Sequence, residues 1–240
     1  MVVILGLGQG LAVRPGGSGK PAVHVSSFAA GLTSEPTLVE HEGAQRCVEL
    51  RLTPLGAFRL LGVPMSQLTG RVVELTDLWG RQADELVERL VEVPDWDSRF
   101  RLLDDHLLRR AVEGCRPAPE LVAAWTRLDR HHGDLAIGEL IRDTGWSRRL
   151  LAKRFREQVG LPPKETARVL RFARAAELVG HPEQYALAAI AAHCGFYDQA
   201  HLNRDFRALA DCTPTEYRAA HLLPALPGTG AQPGARAAHS

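Results

Sequence analysis

The chain has 240 residues, 45% of them hydrophobic and 24% charged, which is enough to fill a core and too apolar for wholesale disorder. Its formal net charge of +1 hides an asymmetry: residues 1–120 carry 13 Lys and Arg against 16 Asp and Glu, and residues 121–240 carry 16 against 12. No apolar run approaches the roughly 20 residues of a membrane span, and the four cysteines, Cys47, Cys115, Cys194 and Cys212, form no C-x-x-C pair. That argues against a zinc site or a disulfide framework and fits a reducing compartment. The N-terminus lacks a basic n-region and a cleavage site, so a soluble, cytoplasmic protein is expected, with two modest domains rather than one large one.

Residues 1–62 read as β-structure. Val2–Leu7 is a short apolar run, Arg14–Gly19 is loop material, and Val23–Phe28, Thr37–Glu42 and Arg46–Leu52 mix β-branched and polar residues with some alternation. The chain begins inside a strand, which implies a preceding segment or a late-assigned start, and a β-domain short of one strand exposes an edge. From Pro54 the pattern turns helical. Pro54–Leu61 and Ser66–Thr69 read as short helices, and Arg81–Val91 places Ala83, Leu86, Val87 and Leu90 on one stripe. Asp95 opens another helix through about Val112, with Phe100, Leu103, Leu107 and Leu108 as its apolar face. Pro117 and Pro119 mark a boundary, because each disfavours helix in the residue before it. The Pro-, Gly- and Ala-rich stretch Pro224–Ser240 reads as a disordered tail.

Beyond the boundary one grammar occurs twice. Ala136–Asp143 is a helix with Ile137, Leu140 and Ile141 inward, Gly145 supplies a tight turn, and Ser147 stands where an N-cap belongs. The helix that follows buries Leu151 and Phe155 and presents Arg148, Arg149, Ala152, Lys153 and Arg156. About 50 residues later Leu187–His193 turns Ile190 and Ala191 inward, Gly195 makes the turn, and Asp198 caps a helix that buries Leu202 and Phe206. That helix presents Gln199, Ala200, His201, Asn203 and Arg204. Pro163–Val179 lies between, with Ala167, Leu170, Ala173 and Leu178 placed to pack against both units. One helix–turn–helix pattern is weak evidence, since any two packed helices mimic it; two in tandem, joined by a helix and loaded with arginine, are specific. Ser147–Arg174 holds nine basic residues against Glu157 and Glu165, a block that suits a polyanion, or else a solvated helix face.

The runs GWSRRLLAKRFREQVGLPPKETARVLRFARA (145–175) and AAIAAHCGFYDQAHLNRDFRALADCTPTEYR (188–218) resemble the two halves of an AraC/XylS DNA-binding domain, and the skeleton IA…GF..Q.H..R.F……TP.EYR carries the likeness. The resemblance covers roughly residues 120–222. It implies a seven-helix domain whose two recognition helices, about one DNA turn apart, enter successive major-groove segments on one face of the duplex. Ile141, where a small residue is usual, and Leu202, where Phe is common, depart from the pattern. The segment 38–64, LVEHEGAQRCVELRLTPLGAFRLLGVP, resembles less specifically the cupin-like N-terminal domain of a subset of such regulators.

The expected fold class is therefore α+β. A β-rich, cupin-like N-terminal domain with helices, a strand short of complete, covers 1–116 and binds an effector or dimerises. An all-α domain with two helix–turn–helix units covers 117–223, and the tail covers 224–240. Major-groove chemistry assigns bases to Arg149 and Lys153, a thymine methyl to Ala152, and adenine to Gln199 and Asn203, with His201 and Ala200 adjacent. Arg148, Arg156 and Arg204 are better suited to the phosphate backbone, and Arg204 equally to an internal ion pair. A G-rich half-site for the first unit and a more A/T-tolerant one for the second are expected.

No cofactor, metal set or catalytic group is expected. His24 and His41 lack a His-x-His spacing, His41–Gly43 is not H-E-x-x-H, and Gly6–Gly10 lacks the dinucleotide-loop spacing. The expected partners are double-stranded DNA, a small-molecule effector, RNA polymerase and a second copy of the chain, with no membrane. The alternative is an enzyme fused to a DNA-binding module, as in DNA-repair methyltransferases with the same helical domain. It requires a reactive cysteine; Cys47 is the one candidate, in an alternating strand that suits a plain core residue better.

Overall fold

The computed structural model describes residues 1–16, 21–40, 45–181 and 185–222. Part of the Arg14–Gly19 loop, the His41–Gly43 segment and the tail lie outside the described residues. The N-terminal half contains two antiparallel sheets. One has the order β6 (Cys47–Arg51), β1 (Val2–Gly6), β4 (Phe28–Ala30), β7 (Val72–Glu74), and the other the order β3 (Val23–Val25), β2 (Leu11–Pro15), β5 (Thr37–Glu40).

Strand β1 is an interior strand, with Val3 opposite Leu50 on one side and Ala29 on the other, so it is not an exposed edge. Its near-continuous apolar sequence follows from burial on both faces. Val3 and Leu5 point into the large core shared with the helices, and Ile4 points into a smaller one with Val13, Val25 and Phe28. Val23–Phe28 proves to be two strands, not one, because the chain turns at Ser26 and Ser27 to cross from one sheet to the other. Sequence reading missed β2, whose Arg14 and Pro15 pair with β5 although they read as loop.

Helix α1 (Pro54–Leu61) begins where the Thr53 hydroxyl accepts from the Gly56 amide at 3.1 Å and proline fills the first turn. The predicted helix at Ser66–Thr69 is a 3-10 turn over Met65–Gln67. Two elements of low periodicity, β7 and α2 (Leu75–Trp79), precede α3 (Arg81–Glu92) and α4 (Trp96–Glu113). Ala83, Leu86 and Leu90 of α3 are buried as their spacing predicts. The face of α4 is not the one expected: Leu103 is buried and Leu102 and Leu107 are half-buried, but Phe100 and Leu108 are 49% and 65% exposed. Arg99 takes the inward place, donating from Nε to the Leu90 carbonyl at 2.8 Å with its guanidinium against the Trp96 ring. Turning that long side chain inward rotates the stripe by about one residue.

Helices α5 (Pro119–Arg130) to α11 (Pro214–Leu222) form the C-terminal half around two further cores. Helix α8 (Pro163–Val179) serves both, with Ala167 and Leu170 in one and Ala175, Leu178 and Val179 in the other. Ala173, expected to pack with them, is exposed. Among the described residues, no helix is long and apolar enough to cross a membrane.

Candidate DNA interface

The first unit is α6 (Ile137–Thr144) followed by α7 (Arg148–Gln158). Gly145 ends α6 at φ 67, a left-handed conformation that a side chain disfavours, and the chain reverses there. Ser147 then accepts from the Leu150 amide at 3.2 Å, capping α7. Leu140, Leu151 and Phe155 are fully buried against Leu121, Ala124 and Leu128 of α5. Arg127 of α5 clamps α6 from outside through ion pairs to Glu139 and Asp143.

The second unit repeats this with α9 (Leu187–His193) and α10 (Gln199–Ala210). Gly195 turns at φ 71, and a Cβ there would lie 2.6 Å from the Asp134 carboxylate carbon, so the turn packs directly on the segment before α6. Asp198 accepts from the His201 amide at 2.6 Å. Ile190, Ala191, Phe196, Leu202 and Phe206 are buried, all five as expected.

Of the proposed readers, Arg148, Arg149, Lys153, Arg156, Gln199, Ala200 and Arg204 are exposed, and Ala152 is half-buried. His201 is tied into the cap of its own helix. Its Nδ1 accepts from the Tyr197 amide at 3.4 Å and its ring meets Phe196 edge-on at 5.2 Å. Asn203 is half-buried, with Oδ1 enclosed and without a hydrogen-bond partner. To read adenine its amide must swing outward, and leaving a buried orphan oxygen favours that motion.

The basic block separates into two parts. Arg148, Arg149, Lys153 and Arg156 point outward from α7, whereas the three arginines of α8 are engaged within the fold and, of its cations, only Lys164 is exposed. Nε of Arg168 lies 2.8 Å from Oδ1 of the buried Asp205, Arg171 donates to the Gly133 carbonyl at 3.2 Å, and Arg174 pairs with Glu177 at 2.8 Å. The net +7 of the sequence therefore overstates the field available to a polyanion. Sequence reasoning also passed over Tyr197, 93% exposed beside the Asp198 cap and the most exposed large apolar side chain described. Its place directly before the Asp198 cap of α10 is the signal that could have found it.

Helix α7 is anchored at its C-terminal end from the N-terminal half. The Thr69 hydroxyl donates to the Gly160 carbonyl at 2.8 Å, and Leu55 of α1 is buried in the core of the first unit. The buried Gln158 accepts from the Ala118 amide at 3.1 Å. One end of the helix is held while the basic end faces solvent.

Comparison with known families matches residues 140–220 to the helix-turn-helix domain model, from within α6 of the first unit through the whole of the second. Residues 140–220 are an AraC-type helix-turn-helix domain. A solved transcriptional regulator with an AraC-type DNA-binding domain from Chromobacterium violaceum is 27% identical to this AraC-type segment, covering 45% of this chain and 96% of that one at a TM-score of 0.41. The DNA-binding domain of AdpA, solved with a target DNA, is likewise 27% identical over 43% of this chain and 94% of that one, TM-score 0.40. ToxT from Vibrio cholerae shares the fold of both halves, with 93% of this chain and 90% of that one covered at TM-score 0.55 and 10% identity. No curated protein matches the chain. The chain thus shares the fold of ToxT, a β-rich half followed by a helical half that holds the helix–turn–helix segment.

Proposed function

We propose that the protein is a sequence-specific transcription regulator that reads the major groove with α7 and α10. The observation that carries this reading is the sorting of side chains on the two capped helices. Leu151, Phe155, Leu202 and Phe206 are fully buried, while Arg149, Lys153 and Gln199 are free of internal partners among the described residues and exposed. Two such helices in tandem address two half-sites. Residues 117–223 form the DNA-binding domain and 1–116 the sensing or self-association domain, and RNA polymerase is a further partner of the bound complex.

A small-molecule role for the N-terminal half has two supports. One ToxT structure of this fold, at TM-score 0.51 and 11% identity, holds a naphthalenyl butenoic acid. In this chain a cleft of about 590 Å³, lined by Leu32, Leu52, Trp125 and Leu170 among others, lies between the halves. A mostly apolar cleft of that size at a domain junction suits a drug-sized ligand.

Selection of binding sites from random duplexes with the intact protein tests the reading. A consensus of two half-sites one helical turn apart supports it, and recovery of no enriched sequence overturns it. The fused-enzyme alternative is disfavoured at Cys47, whose thiol is pushed above its ordinary pKa by burial and by the nearby Glu49 carboxylate. An activated nucleophile shows the opposite shift. Alkylation of Cys47 slower than that of a free thiol retires the enzyme, and rapid alkylation revives it.

A further inference from the structure

A cavity of about 270 Å³ lies between α3 and α4, and cations dominate its wall. Arg89 of α3 and Arg109 and Arg110 of α4 line it, against Glu85 and Glu113. Glu85 is committed to Arg81, which does not line the cavity, at 3.0 Å. Arg110 is fixed in place: Nε donates to the Leu60 carbonyl at 3.0 Å, Nη1 donates to Oε1 of Gln82 at 3.0 Å, and the guanidinium lies 4.5 Å over the Trp79 ring. All three partners are neutral, so the charge of Arg110 stays uncompensated by them. Arg89 and Arg109 have no ion pair among the described residues, and Nε of Arg109 donates to the Asp105 carbonyl of its own helix at 3.3 Å. Gln82, with its oxygen taken by Arg110, retains its amide N–H groups as donors. His106 lines the same cavity, with Nε2 enclosed and without a hydrogen-bond partner among the described residues. Its imidazole is held below its ordinary pKa, first by burial and then by Arg110, Arg109 and Arg89, with no carboxylate opposing them there.

We propose that this cavity binds a small, multiply charged oxyanion, gripped by Arg89, Arg109 and Arg110, with Gln82 and His106 donating beside them. Three unneutralised guanidinium groups around one enclosed space repel one another, and an anion among them removes that repulsion. The guanidinium fork matches the paired oxygens of a carboxylate or a phosphate. Nε2 of His106 donates in the tautomer that carries its proton there, which gives the enclosed nitrogen the partner it lacks. At about 30 Å³ per water, the cavity has room for a phosphate group or a short dicarboxylate. The buried Leu86 in its wall lowers the local dielectric and strengthens the attraction. Because the donors come from both helices, a bound anion ties α3 to α4 and stabilises the N-terminal half by mass action. The proposal gives a ligand class to the sensing role assigned above to residues 1–116, and rests on that reading for its consequence at DNA. Binding itself is measured without DNA, so either can fail while the other stands.

Nuclear magnetic resonance of the His106 imidazole in the full chain tests this, with the signal assigned by its loss in His106→Gln. Inorganic phosphate and succinate are titrated at constant ionic strength, with chloride as the monovalent control. Phosphate or succinate shifts the signal saturably, with a dissociation constant on the order of 0.1–1 mM, and chloride does not. The anion that saturates at the lower concentration distinguishes a phosphate from a dicarboxylate site. Saturation raises the pKa of His106, since the bound charge offsets the three cations. Arg89 and Arg109 are exposed, so Arg89→Gln and Arg109→Gln keep the circular dichroism spectrum of the unaltered chain while each weakens binding about tenfold. Glu113→Gln removes a lining carboxylate and tightens binding about threefold. Arg101→Gln removes the same charge from α4 outside the cavity and leaves binding as it was. No saturable shift with either oxyanion, an equal response to chloride, unweakened binding in Arg89→Gln and Arg109→Gln, or an equal loss in Arg101→Gln overturns the proposal.

Discussion

Nε and Nη2 of Arg168 both lie 2.8 Å from Oδ1 of Asp205, tying the connecting helix α8 to the inner face of α10. The two ends of this bridge differ in exposure: the Asp205 side chain is 5% exposed and that of Arg168 is 33% exposed. The other carboxylate oxygen, Oδ2, is buried without a hydrogen-bond partner. Arg168→Gln therefore leaves a buried anion uncompensated, whereas Asp205→Asn leaves a cation that reaches water. Loss of one partner of a fully buried pair costs about 3–5 kcal/mol, and the exposure of Arg168 reduces this to roughly 2–3 kcal/mol. Urea denaturation should show Arg168→Gln as the more destabilising of the two; equal or reversed losses contradict this account.

This bridge shows where sequence reading stopped. The caps at Ser147 and Asp198 and the turns at Gly145 and Gly195 are local, and all four stand in the structure. The ion pair joins positions 37 apart and has no local signature, so Arg168, Arg171 and Arg174 read as solvent-facing charge. Arg99 misled the reading of α4 for a related reason. A long cation that buries its stem and bonds a carbonyl looks polar in sequence and behaves as core. Strand β2 was missed because its pairing with β5 is a tertiary fact, while the local sequence Arg14–Pro15 signals a loop. On α7 and α10, exposure is legible from spacing, but the engagement of His201 in its own cap and the burial of Oδ1 of Asn203 are not.

His106 makes stability depend on pH. Its imidazole is held below its ordinary pKa, first by burial beside Trp79 and then by the charges of Arg110, Arg109 and Arg89. A histidine whose pKa is lower folded than unfolded binds more protons in the unfolded chain, so stability falls as pH drops through the unfolded value of about 6.5. Thermal denaturation from pH 8 to 5 should show this loss, and His106→Gln should flatten the profile in that window. An unchanged slope in the variant assigns the loss to other groups.

Arg149 and Gln199 each stand exposed in the first turn of their recognition helix. Arginine pairs bidentately with guanine and glutamine with adenine. Arg149→Ala and Gln199→Ala should each cost about 1–3 kcal/mol on the selected site and relax preference at one base pair, in different half-sites. Titration against a panel of single-base operator variants measures this. A uniform loss on every sequence would reassign that residue to the backbone.

Arg148 and Arg156 carry the complementary expectation. Both are exposed on α7, and among the described residues neither has an ion pair with an acidic neighbour. A cation that neutralises one phosphate releases about one counterion, so its loss weakens specific and non-specific binding alike and flattens the dependence of log affinity on log salt by about 0.9. Arg148→Ala and Arg156→Ala should each show that change while leaving the operator consensus intact. The same measurement on Arg171→Ala supplies the contrast: its guanidinium already bonds the Gly133 carbonyl within the fold, so the salt slope should stay as it was while thermal stability drops. Equal slopes for all three variants would mean that the division of the basic block between α7 and α8 does not govern binding.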